Sequence, residues 1–111
     1  MHPSNNELID RLHDARAALD SEIITAIQEN RTVSANCMSR FEQLAGQLHA
    51  ALRAKLRTDK TDLYLHTAQA KVFVACDIGD RYNGDSINCF PKKDNSIEFH
   101  TIRLSDIVSF Q

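Results

Sequence analysis

The chain has 111 residues, 42% hydrophobic and 25% charged, with a net charge of −2. That length fits one domain with one modest core and leaves no room for a deep enzyme cleft plus a second domain. With three Gly and two Pro the composition is not that of a disordered chain, and no apolar run approaches the ~18 residues of a membrane span.

The start, Met-His-Pro-Ser-Asn-Asn-Glu, has no apolar stretch of signal-peptide type, so the sequence predicts a cytoplasmic protein. Cys37, Cys76 and Cys89 are odd in number, and in that compartment they read as reduced thiols. Charge is segregated along the chain. Residues 1–30 carry six acids and two bases (−4), residues 31–60 six bases and two acids (+4), and residues 61–111 seven acids and five bases (−2).

A first helix is predicted from about Asn6 to Asn30. Ser4, Asn5 and Asn6 suit an N-cap, with Glu7 three residues after Ser4 as in a capping box. Leu8, Leu12, Ala15, Leu19, Ile23 and Ala26 fall in one narrow stripe, and Glu7, Asp10, Asp14 and Asp20 lie opposite. Ile24 sits about 160° from Leu8 by helical geometry, where one partner helix does not cover it.

After a break at Asn30–Ser34, with Thr32 or Ser34 as N-cap, a second helix is predicted from about Ala35 to Arg57. Its stripe is Cys37, Phe41, Leu44, Leu48, Ala51 and Leu52, widened by Met38, Ala45 and Leu56. Arg53, Lys55 and Arg57 stand in its last turns, where cations complement the helix dipole. The short link predicts an antiparallel hairpin.

Past Asp59 the hydrophobic period changes from 3.6 to 2. Asp62–Thr67 reads as a strand or a helix tail, and Lys71–Ile78 as a strand apolar on both faces near its start, hence central. Gly79–Asp85 holds the turn pair Asn83-Gly84, Ser86–Phe90 is a strand, and Pro91–Asn95 is a second turn. Ser96–Arg103 is a further strand with Ile97, Phe99 and Thr101 on one face. Leu104–Phe110 is a last strand or a helical turn capped by Ser105.

The expectation is a single α+β domain over residues 1–111. An N-terminal antiparallel two-helix hairpin (about 6–57) packs on a C-terminal three- to four-stranded antiparallel β-sheet, a meander over about 62–110. Helices longer than such a sheet is wide leave Ile9, Ile24 or Leu56 in water, which predicts a homodimer burying them.

Residue clusters that could carry chemistry each have a plainer explanation. Structural zinc needs closely spaced ligand pairs, but Cys37, Cys76, Cys89, His66 and His100 each stand alone, and the thiols read as core. A cysteine-dependent enzyme would pair Cys76 or Cys89 with His66 or His100, yet reactive thiols sit at helix N-termini or in loops, not mid-strand. Asp77, Asp80, Asn83 and Asp85 could hold a hard cation, but turn chemistry accounts for them. Neither cofactor nor metal is expected.

Arg53, Lys55, Arg57 and Lys60 could meet phosphate, although an acidic helix lies beside them. Arg81 and Tyr82 in the first turn, with Lys92 and Lys93 in the second, are residue types and places favoured for protein contacts. With Arg53 and Arg57 they make the predicted partner-binding set.

The run Phe99-His-Thr-Ile-Arg-Leu-Ser-Asp-Ile-Val-Ser-Phe110 resembles a strand of WYL-type ligand-sensing domains, which are Sm-like small barrels. In that pattern an Arg and an aromatic precede an Arg-Leu-Asp-Arg-Ile run. Here His100, Ile102, Ser105 and Asp106 occupy those places, so the ligand-contacting Arg is absent. The likeness spans about a tenth of the chain and does not carry that family's function across.

The functional expectation is a small non-enzymatic protein-binding module, an adaptor or inhibitor that masks a surface of a macromolecular partner. Phage and mobile-element inhibitors such as anti-CRISPR proteins belong to that class. The alternatives are a dimeric nucleic-acid-binding regulator and a cysteine-dependent enzyme.

Overall fold

The computed structural model describes residues 5–59, 62–75, 77–79, 85–90 and 100–111, excepting the side chains of residues 5, 6, 59 and 77. Helix α1 (Asn5–Gln28) and helix α2 (Ala35–Asp59) form the hairpin. Strands β1 (Leu63–Thr67), β2 (Val72–Ala75), β3 (Asp77–Ile78), β4 (Ser86–Phe90), β5 (His100–Arg103) and β6 (Ile107–Phe110) follow, with a 3-10 turn, Leu104–Asp106, between the last two. The α+β class and the helical hairpin packed on antiparallel sheet are as the periodicity predicts.

The strands divide into two three-stranded sheets, β2-β1-β6 and β3-β4-β5. All pairings are antiparallel. The run read as one central strand, Lys71–Ile78, supplies an edge to each sheet, because β2 ends at Ala75 and β3 begins at Asp77. Its apolar character does not reflect a central position, since Val72 and Val74 are exposed. The chain changes sheet again at the 3-10 turn, so Leu104–Phe110 is a helical turn and a strand in succession. Ser105 does not cap that turn. Arg103 is its N-cap, and Ser105 donates its N–H (2.9 Å) and its hydroxyl to the Asp85 carboxylate.

Both helical stripes face the core. Leu8, Leu12, Ala15, Leu19, Phe41, Leu44, Leu48 and Leu52 join Leu63, Leu65, Ile78, Ile87, Ile102, Leu104 and Ile107 in one cluster. Ile9 is also inside, at 2% exposure, contrary to the expectation that it needs a second copy for cover. Ile9 belongs to the common core cluster, and the C-terminal turn and β6 as well as α2 pack on α1. Leu56 is half-buried against the same core, so of the three predicted interface residues only Ile24 stands out in water.

Polar contacts fix how the hairpin sits on the sheets. His13 Nε2 donates to the Ile107 carbonyl at 2.9 Å, and His49 Nε2 donates to the Gly79 carbonyl at 2.9 Å. Arg16 reaches Asp20 (3.2 Å) and Asp85 (3.7 Å) and lies 5.5 Å from the centre of the Phe41 ring. Asp85 thereby joins α1, β4 and the 3-10 turn.

The helix link follows from local chemistry. Asn30 takes the left-handed conformation (φ 55°), Arg31 N–H bonds the Ala26 carbonyl and Asn30 N–H the Ile27 carbonyl, the Schellman end of α1. Arg31 then grips Glu22 with two nitrogen–oxygen contacts of 2.8 Å, and Ser34 N–H donates to the same carboxylate at 2.6 Å. The Arg31 guanidinium, aided by the Ser34 amide, holds the Glu22 carboxyl at about 2. The β1–β2 loop is also tightly specified. Thr67 N–H bonds the Lys71 carbonyl and Ala70 is left-handed (φ 59°), a three-residue hairpin whose last position favours Gly.

The predicted N-cap at Ser4, the turns Asn83-Gly84 and Pro91–Asn95, and the strand residues Ile97 and Phe99 lie outside the described residues. On the described part of β5, Ile102 faces the core and Thr101 is exposed. No helix is long and apolar enough to cross a membrane among the described residues.

Two measurements test these local accounts. Because the folded Glu22 pKa is depressed, the contribution of this group is fully present above about pH 4.5 and fades as pH falls toward about 2. Urea unfolding of Glu22→Gln should show lower stability than wild type at pH 7 and a gap that narrows below pH 4.5; a gap that widens in acid refutes the account. At Ala70, relief of ~1–2 kcal/mol of left-handed strain outweighs ~0.4–1 kcal/mol of added unfolded-chain entropy. Ala70→Gly should therefore raise Tm by roughly 2–4 °C, and a lower Tm would contradict the strain.

Candidate protein-interaction surfaces

In an amphipathic three-stranded sheet alternate side chains face the core, and the others should be polar if that face meets only water. On β1, Leu63, Leu65 and Thr67 are buried, while Tyr64 and His66 point outward. The register places Tyr64 opposite Val74 and His66 opposite Val72. On β6 a bulge opposite His66 and Thr67 sets Val108 outward, with Ser109 paired to His66. The solvent face of β2-β1-β6 is thus built from Tyr64, Val72, Val74 and Val108, 37–51% exposed, around His66 and Ser109.

The other large exposed apolar side chains among the described residues are Ile24 (58%), Ile27 (74%) and Met38, at the loop end of the hairpin. Among the described residues the exposed large apolar side chains therefore fall into two groups, one on each layer. Scattered single exposures need no explanation, whereas Tyr64, Val72 and Val74 adjoin one another across a strand pair.

Of the sequence-predicted contact residues, Arg53 and Arg57 are among the described ones. Arg81, Tyr82, Lys92 and Lys93 lie outside the described residues. Arg53 and Lys55 are half-buried and engaged within the chain, and Arg57 is exposed. Tyr64, Val72, Val74 and Val108 were the residues that sequence reasoning missed. Their signal was visible in Val-Phe-Val and Leu-Tyr-Leu, where apolar residues occupy both faces of a strand.

The chemical alternatives also have definite places. Cys89 is buried on β4 opposite His100, and desolvation pushes its thiol up to about 12. A thiol so raised is protonated near neutral pH and is a poor nucleophile. Cys37 is half-buried on α2 and Cys76 lies outside the described residues. The His100 ring packs on Phe73, with centroids 5.4 Å apart. Of the suggested cation ligands, Asp85 is committed to Ser105 and Arg16, while Asp80, Asn83 and the Asp77 side chain are outside the described set. Among the described residues no three His, Cys, Asp or Glu side chains gather as a metal site.

No protein-family model, curated protein or solved structure matches the chain.

Burial makes a direct prediction for the thiols. In native protein at pH 8, iodoacetamide should modify Cys37 while Cys89 stays unmodified until denaturant is added, as read by peptide mass spectrometry. Rapid native alkylation of Cys89 would contradict the buried, protonated thiol.

Proposed function

We propose that this protein is a small non-enzymatic protein-binding module, an adaptor or inhibitor that works by covering a surface of its partner. The observation that carries the reading is the solvent face of β2-β1-β6, where Tyr64, Val72 and Val74 adjoin across β1 and β2 and Val108 stands beyond His66 on β6. Burying such a face is favourable by ~25 cal/mol per Å² of apolar area. The face itself spans about 250 Å² by strand spacing and rise, well below the ~800 Å² per partner of a stable complex. A partner must then also engage further surface, and Arg81, Tyr82, Lys92 and Lys93 are kept as proposed partner contacts from the sequence.

The small area also weighs against a homodimer through this face alone. A dimer through Ile24 and Leu56 loses the third of its proposed anchors, since Ile9 belongs to the core. Nucleic acid has less support, because Arg53 and Lys55 are engaged internally and the chain carries −2 overall. The free thiols of Cys37 and Cys89 suit a reducing compartment, and we place the module in the cytoplasm.

The test compares wild type with the double variant Tyr64→Ser, Val74→Glu in affinity capture from the native host, after circular dichroism has verified that both fold. Wild type should retain a stoichiometric protein partner and the variant should lose it. Retention by both, or by neither, defeats the reading.

A further inference from the structure

Around the edge of β2 from the apolar face lies a groove of about 250 Å³ between the β1–β2 hairpin and β5. Lys71 and Phe73 line it on one side, Thr101, Ile102 and Arg103 on the other, and Asp106 at the 3-10 turn. Ala68 N–H bonds the Asp106 carbonyl at 2.9 Å and so sets the hairpin against that turn. Three consecutive β5 residues line the groove, which fits a strand whose edge is turned toward it.

The hydrogen-bond pattern says which groups that edge offers. Gly79 N–H bonds the Asn88 carbonyl at 3.0 Å, so Asn88 directs its backbone groups toward β3. By alternation Ile87 and Cys89 direct theirs toward β5, where they oppose Ile102 and His100. Leu104 N–H to the Asp85 carbonyl continues the same phase. Thr101 and Arg103 therefore turn their N–H and C=O groups away from β4 and into the groove. None of these groups has a backbone partner on that side among the described residues.

The side chains add a charge preference. Lys71 and Arg103 are exposed and make no ion pair among the described residues, against the single carboxylate of Asp106. Phe73, packed on His100, and Ile102 supply apolar surface between them.

We propose that β5 accepts an extended acidic segment of a partner protein as an added strand. Its backbone would pair with Thr101 and Arg103, its acidic side chains with Lys71 and Arg103, and an apolar residue with Phe73. A peptide backbone brings both donors and acceptors to such an edge, whereas a phosphodiester backbone brings acceptors only. A second copy of this chain is unsuited, since no described strand carries two acids at alternate positions. This proposal rests on the reading of the protein as a protein-binding module and deepens it by giving the partner's chemistry.

The experiment is an amide NMR titration of the full chain with a capped six-residue peptide of alternating Val and Glu, with a Val–Lys peptide and a thymidine hexanucleotide as comparisons. The Val–Glu peptide should give saturable shifts at the Thr101 and Arg103 amides and slow their hydrogen exchange to the level of Ile102. Joint reversal by Lys71→Glu and Arg103→Glu should weaken it by about tenfold. Absence of saturable shifts there overturns the proposal, as does equal affinity for the Val–Lys peptide or equal shifts with the oligonucleotide. Shifts confined to Tyr64, Val72 and Val74 overturn the groove and leave the wider protein-binding reading standing, while the capture experiment above tests that reading by itself.

Discussion

Leu12, Leu48 and Leu52 of the hairpin meet Leu63, Leu65, Leu104 and Ile107 of the strand region in a core where none of the seven is more than 1% exposed. Everything else in the molecule depends on that contact. Among the described residues each sheet has three strands of two to five residues, too little to stand alone in water. The hairpin covers the inner faces of both sheets, with α2 against β1 and β3 and α1 against β6. Because the helices lie on the inner side, the outer face of β2-β1-β6 is left to solvent, and its apolar side chains become available to a partner.

Apolar packing of this kind is weakly directional, and polar contacts supply the orientation. His13 and His49 each tie one helix to one strand-region carbonyl, and Arg16 with Asp85 links α1 to the point where the chain leaves one sheet for the other. No buried side-chain nitrogen or oxygen among the described residues lacks a hydrogen-bond partner, so these contacts hold position without an unsatisfied group in the core. At the opposite end of the hairpin, Glu22, Arg31 and Ser34 do the same work in the open.

The apolar face and the groove beside β5 share β2. Its even-numbered residues, Val72 and Val74, face outward with Tyr64, while Phe73 turns toward the groove beside β5. A partner laid along the β5 edge would continue around β2 onto the apolar face, and the combined surface is larger than either part. This arrangement exists because β2 ends at Ala75 and β3 begins the other sheet at Asp77, so that β2 stands as an edge of its own sheet.

The sequence by itself determined the helices, their buried stripes, the change to strand period near residue 60, and the α+β class. These are local or periodic properties, written in the spacing of Leu8, Leu12, Ala15 and Leu19 or of Leu63 and Leu65. Tertiary structure alone decided the division into two sheets, the burial of Ile9, the exposure of Val72 and Val74, and, among the described residues, the unpaired edge of β5. Period-2 spacing records that a residue alternates, not which face another element covers. Ile9 and Val74 are equally apolar as letters, and only the packing of the hairpin on the inner face of the sheets puts one inside and leaves the other in water.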